Sequence, residues 1–174
     1  MYTDWILKAN ENQTQKTLEE HVVELLSKQK MTVATAESCT GGLIAATLVN
    51  VPGASDVLNE GYITYSNEAK MRLVGVSRET LAQYGAVSAQ TAKEMAEGAA
   101  KAAEADAALS ATGIAGPGGG TEEKPVGLVY IGCFVNGKTV VKECIFDGNR
   151  MENRQDTAET ALEMLAQALE NPEK

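Results

Sequence analysis

The chain has 174 residues, 44% of them hydrophobic and 22% charged, with a formal net charge of -9, a balance that suits one folded domain and excludes a disordered chain. That much negative charge repels a nucleic-acid backbone, so no nucleic-acid partner is expected, although a pocket can still be locally positive for a small phosphorylated ligand. No apolar run approaches the ~20 residues of a membrane span, the N-terminus lacks the basic start and apolar stretch of a secretion signal, and Cys39, Cys133 and Cys144 are too scattered for a disulfide framework, so a cytoplasmic protein with no membrane partner is expected.

Residues 1–16 read as an N-terminal arm and 17–174 as a single domain. Leu18, Val22, Val23, Leu25 and Leu26 recur at helical spacing and predict a helix from Thr17 to about Lys30. Thr32–Ala36 reads as a first strand and Gly41–Asn50 as the helix that follows it. The break VPGAS precedes a second strand, Gly61–Ser66. On strand alternation Tyr65 shares a face with Ile63, and Thr64 with Tyr62. Asn67–Val74 and Ser77–Gln83 are short helices, and Ser88–Ala105 is a longer alanine-rich one, with serines placed as N-caps. Ala107–Ala111 is a third strand. Gly127–Val135 and Thr139–Phe146 form a hairpin turning at Asn136-Gly137, and a last helix runs from about Met151 to Leu169.

Strands alternating with helices imply an α/β fold, a three-layer α/β/α sandwich with a mixed, mostly parallel sheet. The alanine-rich helix can pack in the core or against another subunit, and a homodimer is the expected oligomer.

With His21 as the only histidine, neither a Ser-His-Asp triad nor a His-rich zinc site is available. Hydrolysis therefore needs another base, or a metal held by carboxylates. Three segments at strand ends offer chemistry. In Ala36-Glu37-Ser38-Cys39-Thr40-Gly41-Gly42, the amides at a helix start suit a phosphate or an oxyanion; equally, Ser38 or Thr40 can be a simple helix cap. In Tyr65-Ser66-Asn67-Glu68-Ala69-Lys70, Lys70 is either a solvated surface lysine or, if buried and neutral, a base for the Ser38 hydroxyl. Tyr65 can hold or relay that proton. The loop from Thr112 through Gly113 and Gly116 to Thr121 is rich in glycine but lacks the G-K-[ST] ending of a P-loop and the GxGxxG spacing; it can line an anion pocket or be a plain surface loop.

Arg150 and Arg154 share a helix face and suit a phosphate, or else pair with Glu152 or Asp156. Glu37 and Glu68 are the acids nearest the site and make a thin metal site. Cys39 is a second candidate nucleophile, disfavoured because no histidine can form a thiolate pair with it.

Together, TAESCTGG, GYITYSNEAKMRLVGV, YGAVS and SATGIAGPGGGTEEKPVGLVY resemble the C-terminal domain of the competence/damage-inducible protein CinA and its stand-alone relatives, which include nicotinamide-nucleotide amidohydrolases. The resemblance covers about residues 17–170. The other CinA domain, a nucleotide pyrophosphatase module, has no counterpart in a chain of this length. What the resemblance implies is deamidation of nicotinamide mononucleotide to nicotinate mononucleotide and ammonia, in pyridine-nucleotide recycling, without metal or organic cofactor. By motif match the nucleophile falls on Ser38 and the base on Lys70, with Tyr65 and Thr112 close by. Oxyanion and substrate contacts are expected from Cys39, Thr40, Gly41, Gly42, Thr112, Gly113, Gly116, Arg150 and Arg154. Asn149 stands where the family has an aspartate, which leaves a catalytically inactive nucleotide-binding module as the alternative.

Overall fold

The computed structural model describes residues 16–171; of the expected arm over 1–16, all but Lys16 lies outside the described residues. The elements follow in the order α1 (Leu18–Gln29), β1 (Val33–Glu37), α2 (Leu43–Val49), a short 3-10 turn (Ala54–Asp56), β2 (Leu58–Ile63), α3 (Asn67–Val74), α4 (Arg78–Tyr84), α5 (Ala89–Ala102), β3 (Ala107–Gly113), β4 (Leu128–Val135), β5 (Lys138–Ile145) and α6 (Arg150–Glu170). Five helices start on a polar cap: Thr17, Ser66, Ser77, Ser88 and Asn149 each accept a backbone N–H of the first turn, which relieves one of the unpaired donors there.

The starts of two elements differ most from the sequence pattern. Helix α2 begins at Leu43 because Gly41 and Gly42 have φ of +61° and +95° and cannot continue a right-handed helix. Strand β2 spans Leu58–Ile63, not 61–66. Gly61 falls inside the strand, where a Cβ would come within 3.1 Å of Thr35 Oγ1; the glycine marks close packing and not the strand's start.

The sheet order is β2-β1-β3-β4-β5. β1 pairs parallel with β2 and β3, while β3–β4 and β4–β5 are antiparallel. β1, β2, β3 and β5 therefore point one way and β4 alone opposes them, which gives the expected mixed sheet. Asn136 and Gly137 both have positive φ, as a tight two-residue hairpin requires.

Alternation along the strands builds two cores. Val33, Leu109 and Ile131 pack with Val22, Leu26, Ile44 and Leu165 of α1, α2 and α6. Ala34, Ala36 and Ala108 pack with Val74 of α3 and Met95 and Ala99 of α5. The fold is thus three layers, and the alanine-rich face of α5 is taken up inside the chain. Small residues let α5 come close. A Cβ on Gly98 would lie 1.7 Å from Val74 O at the end of α3, well inside van der Waals contact.

Replacing Gly98 with alanine therefore forces α3 away from α5. The expected cost is about 1–3 kcal/mol of folding stability, the usual range for overpacking. Urea unfolding checks it; an unchanged midpoint would show that the two helices separate freely.

Candidate active site

The neighbours of β1 lie on either side of it, β2 on one and β3 on the other. Ligands of open α/β sheets gather at the carboxyl ends of strands beside such a switch in order. The last residue of β1 and the one after it turn to opposite layers, as strand alternation requires. Glu37, 1% exposed, accepts the N–H groups of Gly42 and Ile44 at 3.0 Å and of Ala45 at 2.9 Å. Its carboxylate caps α2, which has no capping side chain of its own, and charge at a helix N-terminus is favourable. Ser38 turns to the α3 side, with its N–H donating to Ala111 O at 2.9 Å.

Lys70 meets it there. Ser66 caps α3 and accepts from Ala69 N, which sets Lys70 in the first turn. The side chain runs inward, and the residue is 2% exposed. Nζ lies 3.1 Å from Ser38 Oγ and 2.8 Å from Thr64 O. Thr64 is itself fixed by its N–H to Glu37 O at 2.8 Å. Burial pushes the Lys70 pKa below its ordinary value of 10.5, because a charged amine loses its water and no carboxylate replaces it. A neutral amine fits the geometry: one N–H goes to the Thr64 carbonyl, which can only accept, and the lone pair is left for the Ser38 hydroxyl.

The pair opens into a cavity of about 330 Å³. Cys39, Tyr65 and Asn67 line it beside Ser38 and Lys70; the linker residues Ala86 and Val87, the glycine loop from Gly113 through Gly116 to Gly119, and Arg150 complete it. A second cavity of about 660 Å³ adjoins it, sharing Ala115 and Arg150 and adding Asn149, Met151 and Arg154. Arg150 bridges the parts: Nη1 donates to Gly116 O at 2.8 Å and Nη2 to Tyr65 Oη at 3.1 Å. Tyr65 is 63% exposed and stands at the mouth.

Of the residues named from sequence, Ser38, Cys39, Tyr65, Lys70, Gly113, Gly116 and Arg150 meet at this cavity. The others do not. Gly41 N–H donates to Ser38 O and Gly42 N–H to Glu37, so the expected anion-binding amides at the start of α2 are already taken. Thr112 Oγ1 donates to Ala86 O at 2.7 Å, which removes it as an oxyanion donor. Thr40 Oγ1 is buried without a partner among the described residues and does not line the cavity. Arg154 pairs with neither Glu152 nor Asp156. Its Nε donates to Cys39 O at 3.2 Å and its Nη2 to Thr40 O at 2.6 Å, so it braces the turn after Ser38.

Glu37, considered above as a metal ligand, is a helix cap. The Cys39 thiol is pushed up to about 11, chiefly by burial, and is a poor source of thiolate. Asn67 and the Ala86–Val87 linker were not legible as site residues. Asn67 lies one turn before Lys70 on α3, which was a usable signal; Ala86 and Val87 carried none.

A buried amine beside a serine hydroxyl at the carboxyl edge of a mixed α/β sheet defines the class: an α/β protein with a Ser-Lys pair. The CinA C-terminal domain model matches residues 15–169, and the chain belongs to that family. It is similar to a putative competence-damage inducible protein of Clostridioides difficile, 51% identical over 170 residues that make up 98% of this chain and 40% of that protein. A CinA-like protein of Kosmotoga olearia is 57% identical over 155 residues, 89% of this chain and 38% of that protein. The chain thus spans about two fifths of the length of these curated relatives. Among solved structures, the competence/damage inducible protein CihA from Agrobacterium tumefaciens matches with a TM-score of 0.84 and 45% identity, over 92% of this chain and 99% of that one. Among the described residues no helix is long and apolar enough to cross a membrane.

The lowered Lys70 pKa has a sign in stability. The unfolded chain holds this proton up to the ordinary value of 10.5, while the folded chain releases it earlier. The cost of burying the charged amine is therefore fully present below the native pKa, and is relieved as pH rises between the native value and the unfolded one. Urea unfolding of wild type and Lys70→Met at about pH 7 and about pH 9.5 isolates this group. Wild type is expected to gain on the variant as pH rises; a gap independent of pH would mean that Lys70 titrates alike in both states.

Proposed function

We propose that the chain is a nicotinamide mononucleotide amidohydrolase working by a Ser-Lys mechanism. The single observation that carries this reading is the Lys70 Nζ–Ser38 Oγ pair at 3.1 Å, held by an amine that burial inclines to be neutral. The family resemblance supplies the substrate. Arg150 suits its phosphate: among the described residues two of its five N–H donors are engaged, on Gly116 O and Tyr65 Oη, which leaves donors for an anion. The carboxamide end enters the smaller cavity and the phosphate lies toward Arg150, where the larger one opens.

Lys70 takes the proton of the Ser38 hydroxyl as Oγ bonds to the carboxamide carbon, whose C=O pair moves onto oxygen. Of the oxyanion donors expected from sequence, the Cys39 amide remains: it donates to no backbone oxygen among the described residues, and one such donor is typically worth about 3 kcal/mol. The C–N bond then breaks, and the leaving nitrogen takes the proton from the Lys70 ammonium and departs as ammonia. Water attacks the ester with Lys70 again as base, the carboxylate forms, and Ser38 recovers its proton. Asn149 bonds neither Ser38 nor Lys70 and lines only the larger of the two cavities. Its side chain accepts Met151 N–H at 2.9 Å and Glu152 N–H at 3.2 Å. Asparagine caps a helix about as well as aspartate, so the departure from the family pattern keeps the start of α6 and with it the placement of Arg150.

Ammonia release from nicotinamide mononucleotide is the test, with nicotinamide and glutamine as controls. Ser38→Ala is expected to lose at least about a thousandfold in kcat, and Lys70→Ala about 10²–10⁴-fold. Wild-type activity is expected to survive a chelator. Tight binding without ammonia release would favour the nucleotide-binding module, and loss on chelation would favour a carboxylate-metal hydrolase.

A further inference from the structure

The linker between α4 and α5, Tyr84–Val87, forms one wall of the Ser38 cavity through Ala86 and Val87. Tyr84 is the last residue of α4 and Gly85–Val87 has no regular secondary structure, yet each of the four carbonyls accepts a hydrogen bond from a side chain. Gly85 O accepts from Ser88 Oγ at 3.0 Å and Thr91 Oγ1 at 2.8 Å. Ala86 O accepts from Thr112 Oγ1 at 2.7 Å. Tyr84 O and Val87 O, at the two ends, are both held by Lys124 Nζ, at 3.0 Å and 2.7 Å. Lys124 alone among these donors comes from the segment between β3 and β4, in the turn that follows the glycine loop.

The loop is built to present it. Thr121 N–H donates to Lys124 O at 2.8 Å and Lys124 N–H to Thr121 Oγ1 at 3.0 Å, closing a tight turn over Thr-Glu-Glu-Lys. Past that turn Val126 packs under the outgoing arm: a Cβ on Gly116 would lie 2.5 Å from Val126 Cγ1, and one on Gly120 2.7 Å from Val126 N. The ammonium therefore ties the Tyr84–Val87 wall to the turn that closes the glycine loop, while Thr112 ties the same wall to the end of β3. An ammonium with three donors and no fixed plane can hold two carbonyls at once.

We propose that Lys124 is a positioning residue for substrate binding at the Ser38 site: by joining the linker to the glycine loop it sets the spacing of the walls between which the nucleotide lies. It is no part of the cavity lining, and two of its three N–H donors are taken by the carbonyls of Tyr84 and Val87. The inference rests on the amidohydrolase reading for its ligand, a nicotinamide nucleotide, but its effect is on affinity and is measured without turnover.

The experiment is calorimetric titration of nicotinamide mononucleotide into Ser38→Ala and into Ser38→Ala carrying Lys124→Met or Lys124→Arg, with thermal melts confirming that each folds. Lys124→Met is expected to raise Kd about tenfold, the scale of one lost charge-assisted contact, and Lys124→Arg to recover most of it because a guanidinium again reaches two carbonyls. In the Ser38-containing protein, Lys124→Met is expected to raise KM with kcat within about twofold, the pattern of lost uniform binding, and to leave the labelling rate of Ser38 by a small serine-reactive phosphonate unchanged. Equal Kd values across the three proteins, or slowed labelling in Lys124→Met, would overturn the inference and leave the amidohydrolase reading intact. Binding with the expected differences but no ammonia release from wild type would overturn that reading alone; no binding to any of the three would overturn both. Should Lys124→Met melt below the assay temperature, Lys124→Gln in the Ser38→Ala protein decides: a raised Kd supports the role, and an unchanged Kd contradicts it.

Discussion

The site depends on an amine deprived of water and given no counter-charge. Lys70 reaches from α3 into the layer between helix and sheet, where its nitrogen has a hydroxyl and a carbonyl for partners. Burial of this kind disfavours the ammonium, and a lysine so placed behaves as a base near neutrality more readily than any surface lysine. In a chain whose one histidine pairs with Glu170 at the end of α6, this amine is the basic side chain within hydrogen-bond reach of Ser38.

The surrounding structure keeps charge away from that amine. Glu37 adjoins Ser38 in sequence, and a carboxylate beside Lys70 would hold it protonated. Strand alternation sends Glu37 to the opposite layer, where three amides of α2 occupy it. One residue pair at the end of β1 thus does two jobs, closing a helix on one face and presenting the Ser38 hydroxyl to Lys70 on the other. Arg154 bonds the carbonyls of Cys39 and Thr40 and braces the same turn. Arg150, one turn earlier on α6, holds Gly116 and Tyr65 at the cavity's edge. The arginines share a helix face, as their spacing requires: both line the larger cavity, and Arg150 alone also lines the smaller one.

Much of the fold was legible because the two hydrophobic periods are clear: alternation in β1, β3 and the closing hairpin, and helical spacing elsewhere. Boundaries slipped where glycine has two meanings. Gly61 reads as a strand's start and is a close-packing position inside it; Gly41 and Gly42 read as a helix start and are left-handed residues before it. In the site, residue types and motif order brought out Ser38, Lys70, Tyr65 and Arg150. Donor capacity misled for Gly41, Gly42 and Thr112, since a sequence tells which groups can donate and not which oxygens already hold them. The Glu37-Ser38 alternation was available in the sequence and points Glu37 away from the nucleophile's side. The Tyr84–Val87 wall was not, because its order comes from side chains distant in the chain.

Membership of the CinA C-terminal domain family fixes the fold and leaves the chemistry to the charge state of one nitrogen. The most direct measurement is the NMR titration of the Lys70 side chain, followed at Cε in protein with labelled lysines and assigned by comparison with Lys70→Met. A neutral-prone base requires a midpoint clearly below the ordinary lysine value of 10.5, displaced from the exposed lysines of the same sample. A Lys70 signal that titrates with the others, or above them, would mean that the amine stays charged beside Ser38 and cannot take its proton.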